Sequence, residues 1–248
     1  MDASLSPGMR TIGLIGGMSW ESSIEYYRII NETVRRRLGG LHSARCLMYS
    51  FDFAEIASLQ RQDAWQAAAG RMIEAGKALA GAGADFLVVC TNTMHKMAPE
   101  LEAAVPVPLL HIVDPTAVRV KAAGVKRVGL LATRFTMEQD FYVGRLTKTH
   151  GLEVVLPDEA DRAAVHAIIF DELCCGVARS ESRERLKAIC RDLRGRGAEG
   201  VILGCTELGL LLRPGDCSVP IFDTTVLHAE AAAELAMGGN GLMTKPPK

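Results

Sequence analysis

The sequence predicts an α/β fold of two pseudo-symmetric parallel-sheet halves with the active site in the cleft between them. Three observations carry that reading. Short, β-branched apolar runs alternate with amphipathic stretches along the chain, which argues for a parallel sheet with helices on both faces. The run RTIGLIGGM at residues 10–18 is echoed by RVGLLATRFTM at residues 127–137. Further on, GADFLVVCT at residues 83–91 is echoed by GAEGVILGCT at residues 197–206. Such self-similarity marks repeated structural units.

The elements follow in order. Thr11–Ile15 reads as a buried strand, and Ile24, Tyr27, Ile30 and Val34 after it keep helical spacing. Further strands are expected over Ala44–Phe51, Asp85–Cys90, Leu109–Val113, Arg127–Ala132, Leu152–Leu156, Gly200–Gly204 and Pro220–Phe222, with helical patterns between most of them. The first half is assigned residues 9–115 and 220–238, the second 116–219, and residues 1–8 and 239–248 are expected to be flexible tails.

Composition narrows the function classes. At 248 residues the chain is long enough for a well-buried interior, and 48% apolar against 23% charged residues is ordinary for a globular protein. With a formal charge of −1 and its arginine clusters on polar helix faces, the chain is not expected to bind nucleic acid. The apolar runs Phe86–Val89 and Val201–Leu203 fall far short of the roughly 20 residues of a membrane span, so no membrane association is expected. Residues 1–8 lack the positive start of a signal peptide, and a cytoplasmic location is expected. The seven cysteines, an odd number without Cys-x-x-Cys pairs, should then remain thiols.

Two of those thiols stand out. Cys90 and Cys205 each follow a buried strand and precede a threonine, at nearly equal distances from the start of their repeats. The echo therefore puts the same dipeptide at the carboxyl ends of equivalent strands, where open α/β sheets bind ligands. Halves packed about a pseudo-twofold axis would turn the thiols toward each other. Opposed thiols suit inversion of a carbon that bears a weakly acidic C–H, which needs a base on one face and an acid on the other. A sulfur separation of roughly 7 Å, about twice the reacting distance, would fit that task. A thiol has a pKa of about 8.5, so one of the pair would have to be shifted down to act as thiolate at neutral pH. Backbone N–H groups where each strand passes into a helix are the expected means.

At these residues the chain resembles the aspartate/glutamate racemase family. The likeness rests on CTNT at residues 90–93, GCTE at 204–207 and GGM at 16–18, and spans roughly Met9 to Ala236. The segments GGMSWES (16–22), GGLHS (39–43), CTNTMH (90–95) and TMEQDFY (136–142) bring it nearest to the broad-specificity amino-acid racemases. The resemblance implies amino-acid racemisation without pyridoxal phosphate, metal or other cofactor, and a homodimer. It implies that Cys90 and Cys205 are the catalytic pair, each serving one stereochemical direction. Thr91, Asn92, Thr93, Thr206 and Glu207 would hold the substrate's ammonium and carboxylate, with Met18 and Ser19 lining the same mouth. Cell-wall glutamate racemases usually carry His where this chain has Glu207, which argues against that activity. Strict aspartate racemases grip the side-chain carboxylate with an Arg after the second strand and a later Lys. Here Ser50–Ala54 has no Arg, and Cys174 and Cys175 stand near the expected Lys, so a broader substrate range follows. Gln60 is the expected polar contact to the substrate side chain, against a plain surface glutamine.

The remaining groups read as structural. Cys190 lies with Leu186, Ile189 and Leu193 at helical spacing, Cys46 belongs to a strand, and Cys217 falls in a loop. His95 and His111 are expected to be hydrogen-bonded supports. Gly16-Gly17 without the full spaced glycine pattern does not make a dinucleotide site. Two other readings stay open: a related reaction on the same scaffold, such as hydantoin racemisation, maleate isomerisation or malonate decarboxylation, and a binding protein without chemistry.

Overall fold

The structure is a computed structural model that describes residues 8–239; the expected tails otherwise lie outside the described residues. Its contacts divide the chain into two compact units. One comprises residues up to Cys90, Met97–His111 and the chain from His228; the other comprises Thr91–Lys96 and Ile112–Leu227.

In the first unit, β1 (Ile12–Gly16), β2 (Cys46–Ser50), β3 (Phe86–Val89) and β4 (Leu109–Leu110) form a parallel sheet in the order β2-β1-β3-β4. Ile12 of β1 stands beside Cys46 on one side and Phe86 on the other. The helices are α1 (Trp20–Leu38), α2 (Phe53–Arg61), α3 (Trp65–Gly81) and α4 (Ala98–Ala104). Strands β1 and β3 are buried along their whole length, which is why they read as unbroken apolar runs.

The second unit repeats the plan. Strands β5 (Arg127–Ala132), β6 (Glu153–Val155), β7 (Gly200–Gly204) and β8 (Ile221–Asp223) form a parallel sheet in the order β6-β5-β7-β8, the same arrangement shifted by one repeat. Its helices are α5 (Val113–Ala122), α6 (Arg134–Glu138), α7 (Asp140–Gly144), α8 (Glu159–Ala167), α9 (Ser180–Gly195) and α10 (Leu208–Leu211). The last helix, α11 (Thr224–Ala236), starts in this unit, where Asp223 Oδ1 accepts the Thr225 N–H at 2.8 Å. From His228 on it belongs to the first, and Ala229, Ala232, Ala233 and Leu235 join a core with Ile12, Leu14 and Val88.

The repeated glycine of the strand pattern has a packing reason in both sheets. A Cβ on Gly13 would stand 2.9 Å from Leu87 Cδ2, and one on Gly129 would stand 2.9 Å from Leu193 Cδ1 of α9. Gly17 answers a different need. Its φ of 80° is one that side chains disfavour, and a Cβ there would meet the Phe51 backbone.

The structure departs from the sequence reading at several places, among them residues 91–96 and 112–115, assigned to the first half but part of the second unit. The buried face of α1 carries Ser22, Ser23, Tyr26, Ile29, Ile30, Thr33 and Val34, while Ile24 and Tyr27 are exposed. The small serines rotate the helix: Ser23 Oγ accepts the Gly17 N–H at 2.8 Å, and the first turn seats on the glycine turn after β1. Val113, expected at the end of a strand, opens α5, because Pro115 in the first turn presets helical φ. Residues 221–223, grouped with the first half, pair with β7 in the second sheet, with Val201 beside Ile221.

Tyr26 is fully buried, and its hydroxyl donates to His228 Nδ1 at 2.8 Å while His228 Nε2 donates to the Leu110 carbonyl at 2.8 Å. Tyr26→Phe removes this donor to a buried imidazole nitrogen, and urea unfolding should show a loss of about 1–3 kcal/mol.

Candidate active site

In the first unit the residues singled out by the sequence lie on the turn after β1 and at the end of β3. Met18 and Ser19, both buried, follow the two glycines. Ser19 is the N-cap of α1, accepting the Ser22 N–H through Oγ, and its carbonyl accepts the hydroxyls of Ser22 and Ser23 at 3.0 and 2.9 Å. Cys90 follows β3 with no exposed surface, and its N–H donates to the Ile15 carbonyl at 2.9 Å. Gln60 lies in α2 at 5% exposure, which removes the surface-glutamine reading.

The second unit holds the polar residues. Although Thr91–Thr93 follow Cys90 directly, they belong to this unit, and hydrogen bonds explain why. Asn92 Nδ2 donates to Thr224 Oγ1 at 3.0 Å, and Thr224 Oγ1 donates to the Leu203 carbonyl at 2.7 Å, two residues before Cys205. The Thr93 hydroxyl lies 3.0 Å from that of Thr133 and 3.4 Å from that of Thr136. His95 Nδ1 donates to the Thr91 carbonyl at 2.8 Å and its Nε2 accepts the Ile112 N–H at 3.2 Å. Both ring nitrogens are therefore spent on bracing the backbone after Cys90, as the sequence reading expects of a supporting histidine. Asn92 is 2% exposed, and its Oδ1 has no hydrogen-bond partner among the described residues.

Beyond β7, the Cys205 thiol donates to Glu207 Oε2 at 3.0 Å and the Thr206 hydroxyl to the same oxygen at 2.7 Å, all three residues being buried. Cys174 is close enough for its charge to bear on Cys205. Arg71 of α3 stands over the Phe51 ring at 6.0 Å but is ion-paired with Glu55 and Glu74 at 2.9 and 3.0 Å.

The electrostatics reverse one expectation. Burial pushes the Cys90 thiol above its ordinary range, with Cys46 adding to the shift. Cys205 is raised well above the ordinary value, first by burial and then by the negative charge of Glu207. Neither strand runs into a substantial helix. After β3 the chain makes a 3₁₀ turn over Thr93–Met97, and α10 after β7 has only four residues. Such short elements provide little dipole to offset desolvation. Among the described residues no cluster of three or more His, Cys, Asp or Glu is placed to hold a metal ion.

The sequence profile of Asp/Glu/hydantoin racemases matches residues 15–232. The chain belongs to that family. A crystal structure of a candidate Asp/Glu racemase from Yersinia pestis is 54% identical, covers 92% of this chain and 100% of its own, and superposes with a TM-score of 0.86. An aspartate racemase homologue from Pyrococcus horikoshii is 36% identical over 92% of this chain and 99% of its own, with a TM-score of 0.79. The broad-specificity amino-acid racemase RacX of Bacillus subtilis is 26% identical over 163 residues, 64% of this chain and 68% of its own length.

Sequence reasoning passed over Thr133 and Thr136 in this racemase-family chain. A signal existed, because ATRFT at residues 132–136 occupies the place in the second repeat that GGMS holds in the first. Thr133 caps α6 as Ser19 caps α1, each accepting an N–H three residues on.

Replacing Glu207 by Gln removes the charge and the carboxylate acceptor that hold the Cys205 proton. Alkylation of Cys205 by iodoacetamide, followed by peptide mass mapping across a pH series, should set in at lower pH in Glu207→Gln than in the unmodified protein.

Proposed function

We propose that this protein is an amino-acid racemase that inverts the α-carbon of a small or acidic amino acid by a two-cysteine proton transfer without a cofactor. The observation that carries the reading is the repeat of a buried Cys-Thr at the end of the same strand in two sheets of identical order. Cys90 and Cys205 act on opposite faces of the α-carbon. One sulfur, as thiolate, takes the α-proton, and the other, as thiol, delivers its proton to the far side. Each turnover exchanges their protonation, so the reverse direction uses the same groups in swapped roles.

Ionisation of a desolvated thiol needs a nearby positive charge. The substrate ammonium supplies one, placed by Asn92 Oδ1 and the Glu207 carboxylate. Thr91, Thr93 and Thr206 offer hydroxyls to the α-carboxylate, and Met18, Ser19 and Gln60 line the side-chain end. Binding thus lowers the thiol pKa at the moment a base is required, because opposite charge favours the ionised form. Arg71 is already neutralised by two glutamates, which supports a range extending to uncharged side chains over strict selection of a second carboxylate.

Proton NMR in D₂O with single enantiomers of aspartate, glutamate, homoserine and alanine, and a 5-substituted hydantoin beside them, tests this. The α-proton signal of at least one amino acid should vanish as its mirror image grows, and Cys90→Ala and Cys205→Ala should each abolish inversion. Turnover of the hydantoin alone would move the substrate class, and no exchange with any compound would overturn the proposal.

The raised thiols also set the pH dependence. A general base whose free-enzyme pKa lies above the ordinary value of about 8.5 makes kcat/KM climb through neutrality and continue upward beyond that pH. A plateau reached below pH 7 would contradict a buried thiol as the base.

A further inference from the structure

Outside the site, two thiols that the proposed chemistry leaves unused lie against each other. Cys190 on α9 and Cys217 in the loop before β8 are both buried in the core of the second unit, close enough for each to bear on the other's ionisation. The loop is fastened to the helix on either side of Cys217. Asp216 receives Arg183 through three hydrogen bonds of 2.8 to 3.2 Å, and Ser218 Oγ accepts from Arg194 at 2.8 Å. On α9, Arg183, Lys187, Cys190 and Arg194 follow one stripe at spacings of four, three and four. The two clasps therefore hold Cys217 over the middle of the stripe, where Cys190 sits. Asp216 Oδ2 also accepts the Arg213 N–H at 2.8 Å, which closes the turn beneath it.

We infer that Cys190 and Cys217 form a thiol-oxidation site that closes reversibly into an intramolecular disulfide when the protein meets a hydroperoxide. The Cys217 thiolate attacks the peroxide oxygen, the O–O bond breaks, and Cys217 becomes a sulfenic acid as water or an alcohol leaves. Cys190 then attacks the Cys217 sulfur, its own proton departs with the hydroxyl as a second water, and the S–S bond forms. The two thiols are oxidised and the peroxide is reduced. Cys217 reacts first because contact with Cys190 lowers its thiol while Cys190 is raised, and because Cys217 lies on the loop and Cys190 beneath it on the helix. Cys90 and Cys205, both shifted up, remain thiols and react later.

The test treats the whole protein with a small excess of hydrogen peroxide, quenches it in denaturant with an alkylating agent, and maps the digest by mass. Two of the seven cysteines should escape alkylation, a linked peptide should join Cys190 to Cys217, and dithiothreitol should restore both. Cys190→Ala, which cannot close the bond, should instead accumulate a Cys217 sulfenic acid that dimedone traps. Cross-links elsewhere, oxidation of Cys90 or Cys205 ahead of Cys217, or a Cys217 that stays fully alkylatable would each overturn the inference. The unmodified protein decides the matter even where a variant fails to fold.

Discussion

Desolvation of a thiol at the end of a strand buried on both faces sets the terms for the rest of the site. The parallel sheets place Cys90 and Cys205 where little water reaches them, and removal from water favours the neutral form of any acid. Around Cys205 the protein adds a carboxylate instead of a cation, strengthening the hold on the proton. Both thiols therefore favour the protonated form. The polar groups after Cys90 are fixed in place, with the Asn92, Thr224 and Leu203 chain tying them to the end of β7 within one unit.

The fold was legible because its signals are local. Strands β1, β3 and β7 are continuous apolar runs, β5 is one after its exposed Arg127, and β5 and β7 fall on the residues expected of them. The face of α1 was not legible, since Ser22 and Ser23 look like solvent-facing residues until the glycine turn they pack against is known. Strand β8 was misgrouped for a related reason: its three residues reveal no partner, and only pairing with β7 places them.

The site divides along the same line. The Cys-Thr pair could be read from repetition, whereas the burial of Gln60 and Glu207 could not be read from two polar residue types. The direction of the thiol shifts could not be read, because it depends on burial and on a carboxylate two positions away turning back toward the sulfur. Thr133 and Thr136 were hidden by the repeat's own drift, which replaced two glycines with Ala132 and Thr133 while keeping a capping hydroxyl. Only contact with Thr93, some forty residues earlier in the chain, brings them to the candidate residues.

The unmatched oxygen of Asn92 has a thermodynamic consequence of its own. A sequestered amide carbonyl lacking a donor carries a cost of about 1–3 kcal/mol. The same amide donates to Thr224, so it keeps one stabilising contact while its oxygen stays unmatched. A donor that reached this oxygen would remove the cost in the bound state alone, so that affinity and resistance to heat would rise together.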